Sequence, residues 1–217
     1  IERQNAGKAT YESFIKDTPT KVNEKTTHPY ECVAEAVKAM HPDHWYRSRA
    51  NVPLDDLNRL AVNKYWENLT DYFNGANFNG IAVVDTSGSM TGSQASAPIN
   101  VAISLCLYCA EHNKGPFAVH YICFSSRPQC IATEGVDFCD KVDRIVRTNL
   151  CENTNIELAF DMLLNTARVN HVAQKDLPET ILVISDMEFD MASRQLNSNR
   201  VETVMESIAR KWWSYRH

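Results

Sequence analysis

Asp85, Ser87 and Ser89 stand at alternate positions in the segment DTSGSM, directly after the apolar run GIAVV. A carboxylate and two hydroxyls on a turn that contains Gly88 can point the same way and offer oxygens to one centre. That set suits a hard divalent cation. Mg2+ takes about six oxygens near 2.1 Å and keeps some of its waters, so hydroxyl, carboxylate and water oxygens together satisfy it. No thiolate or imidazole belongs to the set, which argues against zinc or copper. A second aspartate, Asp186, ends another apolar run, TILVIS.

Other chemistries fit the same residues less well. The stretch SGSMTGSQAS lacks the lysine and the spacing of a phosphate-binding P-loop. A serine-hydrolase elbow needs G-x-S-x-G, whereas this loop reads G-S-M-T-G with its serine one place early. An aspartate phosphatase wants a second acid two residues on, where Ser87 stands. The plain alternative is an ordinary strand-to-helix turn with a serine N-cap.

The elements that must position this loop are legible from Gly80 onward. GIAVV and TILVIS are short, continuous apolar runs rich in β-branched residues, the pattern of strands buried on both faces. FAVHYICFSS reads as a strand, and QCIAT as its hairpin partner. PINVAISLCLYCAEHN, FCDKVDRIVRT, NIELAFDMLLNTARVN and the stretch from Arg200 to Trp213 read as helices. Strands alternating with helices predict an α/β fold with a mainly parallel sheet and one antiparallel edge. In such sheets ligands bind beyond the carboxyl ends of the strands, so Asp85 and Asp186 are expected on one rim.

Before Asn79 the pattern differs. Helical stretches are expected over Pro29–Met40 and Pro53–Phe73, the second with Leu57, Leu60, Ala61, Tyr65, Leu69, Tyr72 and Phe73 on its buried face. Residues 1–78 thus read as a mostly helical segment, the end of a larger helical region, and 79–217 as the main domain. Ile1 is not a methionine and no signal-peptide pattern follows it, so the chain reads as part of something longer.

The five-part pattern resembles the metal-ion-dependent adhesion site (MIDAS) of von Willebrand factor A (vWA) domains, whose signature is D-x-S-x-S. The resemblance covers about Asn79 to Trp213, with Thr154 in CENTNIEL and Asp186 in VISDMEFD at the family's remaining positions. DTSGSM, NTN and SDMEFDMAS narrow it to intracellular A domains of unassigned function, related to the A domain of Ro-type (TROVE) autoantigens. It implies a Rossmann-like vWA fold with helices on both sheet faces, preceded by a short helical segment. It also implies that Ser87, Ser89 and Thr154 touch the cation, that Asp85 and Asp186 act through waters, and that a partner's carboxylate takes the sixth position. The family has two further strands after the fourth, which this chain lacks; the domain is therefore expected to be C-terminally incomplete, with something covering the apolar edge of TILVISDM. Glu188 and Asp190 either add charge just outside the direct ligands or belong to a solvated loop.

The function these residues imply is a non-catalytic, divalent-cation-dependent protein-binding module, loaded with Mg2+ or with Mn2+ or Ca2+, that grips an acidic side chain of a partner protein. The rivals are a Ro-like ribonucleoprotein component, which binds RNA only by analogy, and a Mg2+-dependent hydrolase, for which no base can be named. A formal net charge of −5 gives no basic footprint for nucleic acid. No run approaches the roughly 20 apolar residues a membrane helix needs. Seven cysteines, several inside apolar runs, read as buried thiols of a reducing compartment, and a cytoplasmic location is expected. Cys106-x-x-Cys109 lies mid-helix and reads as packing; His41 and His44 make an incomplete zinc site. Trp212 and Trp213 are expected in the core.

Overall fold

GIAVV has no polar side chain to turn toward water, so it can rest only where both its faces are covered. In the computed structural model it is the fully buried strand β1 (Gly80–Val84). The structure describes residue 13 and residues 28–40, 56–76, 78–92, 94–123, 127–148, 155–186, 193–197 and 200–216. Strand β2 (His120–Cys123) runs parallel to β1 with Ala82 opposite Tyr121, and β3 (Gln129–Ala132) returns antiparallel along β2. Strand β4 (Thr180–Ile184) pairs with the other side of β1, parallel and in register from Gly80↔Thr180 to Val84↔Ile184. The order is β3-β2-β1-β4. The protein is therefore α/β, with a mixed, mostly parallel sheet and the one antiparallel edge that the hairpin QCIAT predicts.

Alternation along the strands divides the core in two. Ala82, Val84, Tyr121 and Cys123 face one cluster, built from helices α1 (Pro29–Met40), α2 (Asp56–Glu67), α3 (Pro98–His112) and α4 (Phe138–Thr148). Ile81, Val83 and Ile122 face the other, where α5 (Ile156–Val169) contributes Ile156, Ala159 and Leu163 and α6 (Val204–Arg216) contributes Val204 and Trp212. Helix α3 is buried nearly all round because α1 packs on it from outside: Cys32, Val33, Ala36 and Val37 are buried together with Ala102, Ile103, Cys106 and Leu107. Asn155 caps α5, its side chain accepting the Leu158 amide at 3.2 Å. Asn155→Ala should cost about 1 kcal/mol in a urea melt; an unchanged midpoint would show that the cap contributes nothing.

Four expectations need correction. Helix α2 stops at Glu67, because Asn68 turns its amide onto the Lys64 carbonyl and Asp71 accepts the amides of Phe73 and Gly75 in a tight turn, Gly75 having φ +75°. The expected buried face is only partly right: Leu69 and Phe73 pack against the core, but Val62 and Trp66 are the buried residues of the helix, while Tyr65 is 40% and Tyr72 57% exposed. Trp66 stacks on Phe138 at 4.1 Å and donates to Glu111 at 2.8 Å, and these partners set which face of the helix is buried. Residues 200–203 are strand rather than helix: β6 (Arg200–Thr203) pairs antiparallel with β5 (Ser193–Asn197). Helix α6 starts only at Val204, where Thr203 and Glu206 form a reciprocal capping box. Lastly, Trp212 meets Phe160 edge-on in the core, but Trp213 is 65% exposed.

Among the described residues β4 pairs only with β1, and the β5–β6 hairpin pairs only with itself. Ile181 to Ile184 are accordingly half-buried. Among the described residues no helix is long and apolar enough to cross a membrane.

Candidate metal centre

The candidate site forms where β1 and β4 end side by side. The ladder continues one step past the strands, the Asp85 amide donating to the Ile184 carbonyl at 2.8 Å. The Asp85 carboxylate is thereby held under the rim, fully buried, at the carboxyl end of the sheet. One of its oxygens accepts the Ser87 amide at 2.9 Å, an Asx turn that bends the chain out of the strand. The other accepts the Ser185 hydroxyl at 2.6 Å.

After Ser87 the chain makes one 3-10 turn over Gly88–Met90, anchored by Met90, which is buried in the core. A Cβ at Gly88 would meet nothing, so this glycine leaves the rim open rather than relieving a clash. Thr91 closes the turn with its amide and hydroxyl on the Gly88 carbonyl. Asn100, near the start of α3, holds the following loop through the Ala95 carbonyl at 3.0 Å. The hydroxyls of Ser87 and Ser89 are hydrogen-bonded to each other at 3.0 Å. Neither the 3-10 turn nor α3 has a side-chain cap, so the plain N-cap reading of these serines does not describe what they do.

Two measurements bear on whether a cation fits. Adjacent oxygens around an octahedral Mg2+ at about 2.1 Å lie about 3.0 Å apart, and the two serine hydroxyls stand at that separation. Asp85 is a buried carboxylate, and among the described residues no Lys, Arg or His pairs with it. Burying an anion is costly unless hydrogen bonds or a counter-charge offset it. Two donors supply the first, and a cation would supply the second. Among the described residues no three of His, Cys, Asp and Glu gather as metal ligands. The oxygens at this strand end are the Asp85 carboxylate, which holds the Ser87 amide and the Ser185 hydroxyl, and the Ser87 and Ser89 hydroxyls, which meet each other.

Asp186 stands one residue beyond Ser185, exposed at the same rim. The residue that the register brings onto Asp85 is Ser185, which reading TILVIS as ending in Asp186 passes over. Aligning the two strand ends by their pairing, rather than by their aspartates, would have found it. Thr154, Glu188 and Asp190 lie outside the described residues, as do His41, His44 and Cys151.

The thiols behave as packing. Cys106 and Cys109 are buried in α3, and burial pushes Cys109 up to about 11 and Cys106 well above the ordinary thiol range. Burial likewise lifts Cys32 and Cys139 to about 12. Such groups stay protonated near neutral pH.

A family model described as "Domain of unknown function (DUF7788)" matches residues 79–215, more than half of the chain. The chain belongs to this family. The DUF7788 match begins one residue before β1 and ends within α6, so it contains both strand ends and the Asp85 loop. An uncharacterised protein, L728, of Acanthamoeba polyphaga mimivirus is 26% identical over 207 residues. That likeness takes in 94% of this chain and 32% of the viral protein, so the chain spans about a third of that relative's length. No solved structure matches the chain.

Proposed function

We propose that the DUF7788 domain of this chain is a vWA-type, non-catalytic binding module whose Asp85 loop holds Mg2+, or another hard divalent cation, and through it an acidic side chain of a partner protein. The observation that carries the reading is the fully buried Asp85 carboxylate at the root of a loop in which the Ser87 and Ser89 hydroxyls meet. The strand order supports it as well, since the loop rises from β1 at the centre of the sheet, next to the strand that ends in Asp186. Ser87, Ser89, Asp85 and Asp186 would hold the cation, with Thr154 as the fifth member. A cation held largely by neutral oxygens stays electrophilic, which suits capture of a carboxylate. Among the described residues that meet Asp85 there is no histidine, lysine or cysteine to serve as base or nucleophile. The module would act in the cytoplasm, in keeping with the buried thiols of α1, α3 and α4.

Mn2+ is the direct probe. Calorimetry should show one saturable Mn2+ site per chain, displaced by Mg2+ and lost in Asp85→Ala and Ser87→Ala. Water relaxation by the bound Mn2+ should fall on adding acetate but not on adding chloride at equal ionic strength, because acetate mimics the partner's carboxylate. Absence of saturable binding in the unaltered chain rejects the reading; binding without an acetate effect rejects the carboxylate partner.

A further inference from the structure

We propose that Ser185 is a positioning residue of this site, holding the Asp85 carboxylate in the one orientation that serves a cation; the inference rests on the cation-site reading above. The backbone forces the two side chains together. Val84 and Ile184 are paired in parallel register, and the Asp85 amide extends that ladder onto the Ile184 carbonyl. Residues 85 and 185 are therefore neighbours on the same side of the sheet end, and the Ser185 hydroxyl reaches Asp85 Oδ2 at 2.6 Å.

What the contact does follows from counting degrees of freedom. The Ser87 amide, on Oδ1, comes from the same turn as Asp85 and fixes one oxygen relative to its own loop. Held there alone, the carboxylate can still pivot about that oxygen. The Ser185 hydroxyl grips the second oxygen from a different strand, and the carboxylate plane is then fixed relative to the sheet. Hydrogen bonds to an ionised, buried carboxylate are short and strong, and each oxygen keeps a second lone-pair direction for the cation or its waters. Metal sites depend on such outer contacts: removing one weakens metal binding about 10–100-fold. Alternation then gives the end of β4 two jobs, Ser185 turned in to hold Asp85 and Asp186 exposed at the rim.

Mn2+ titration of the full chain tests this. Ser185→Ala should weaken Mn2+ about 10–100-fold, while Ser185→Thr, which keeps the hydroxyl, should bind within a few-fold of the unaltered chain. Ser185→Val has nearly the shape of threonine without the hydroxyl. The Val variant should melt below the Thr variant in EDTA, having lost a hydrogen bond to a buried carboxylate, yet at a temperature where both are folded the two should differ in Mn2+ affinity by the same large factor. That pair decides the matter even if the alanine variant fails to fold. Equal affinity in the Thr and Val variants overturns the role of Ser185 and leaves the cation site standing. No Mn2+ binding in the unaltered chain overturns both.

Discussion

A chain cut to begin at residue 79, where the family match starts, should fail to fold. The physical reason is the outer side of α3. VAISLCLYCA is apolar around most of its circumference, and only a helix on each side can use that. The sheet takes one side; α1 and α2 take the other, with Cys32, Val33, Ala36, Val37, Val62 and Trp66 buried against α3 and α4. Removing one large core side chain costs about 2–5 kcal/mol, and a whole domain holds only about 5–15 kcal/mol in reserve. Losing six buried side chains at once exceeds that reserve. Four polar ties go as well: Arg59 to Asp137 at 2.7 Å, Arg59 to Asp140, Trp66 to Glu111, and Asn63 to Asp137. The viral relative is alike over 94% of this chain, which reaches well into the N-terminal segment. The expected result is aggregation, or a spectrum without amide dispersion, for residues 79–217, against a cooperative thermal transition for residues 28–217. A dispersed spectrum and sharp melting from the shorter chain would show that α1 and α2 are an accessory.

The strands and the loop were readable in the sequence because each is a local statement. GIAVV and TILVI are continuous apolar runs that only a doubly covered strand can use, and QCIAT follows its partner closely enough to be a hairpin. Asp85, Ser87 and Ser89 lie within one turn, so the Ser87 amide on Asp85 and the meeting of the two serine hydroxyls need no knowledge of the rest of the chain. The readings that failed depended on partners distant in sequence. Trp66 is buried because Phe138 and Glu111 meet it, and neither is visible from α2 alone. Apolar periodicity favoured Tyr65 and Tyr72, which the fold leaves outside. Thr203 and Glu206 spell a capping box in TVME, a local signal that was present and outweighed by the apolar pattern around it. Ser185 was hidden for a third reason. Two strands ending in aspartate invite alignment of the aspartates, whereas the hydrogen-bond register sets Asp85 beside the serine instead.

Magnesium should raise the melting temperature of the unaltered chain, and Asp85→Asn should abolish that rise while barely changing the metal-free protein. A ligand that binds only the folded state at 100 times its Kd adds about 2.7 kcal/mol. For a chain of this size that corresponds to about 5–10 °C, at roughly 2–4 °C per kcal/mol. The asparagine is chosen so that the two existing contacts survive. Its Oδ1 still accepts the Ser87 amide, and its Nδ2 donates to Ser185, whose hydroxyl turns to accept. With both hydrogen bonds kept, stability in EDTA should move by less than about 1 kcal/mol. What disappears is the negative charge, and with it the reason for a cation to bind. Other readings of the loop give different patterns. If Asp85 only shapes a turn, magnesium moves neither protein beyond what sodium chloride does at equal ionic strength. If the buried charge serves only to hold the two strand ends together, Asp85→Asn lowers the melting temperature in EDTA and magnesium changes nothing. A full magnesium-dependent rise in the asparagine variant would place the cation elsewhere. Only a rise in the unaltered chain that vanishes in a variant of equal metal-free stability makes Asp85 the charge that holds the ion.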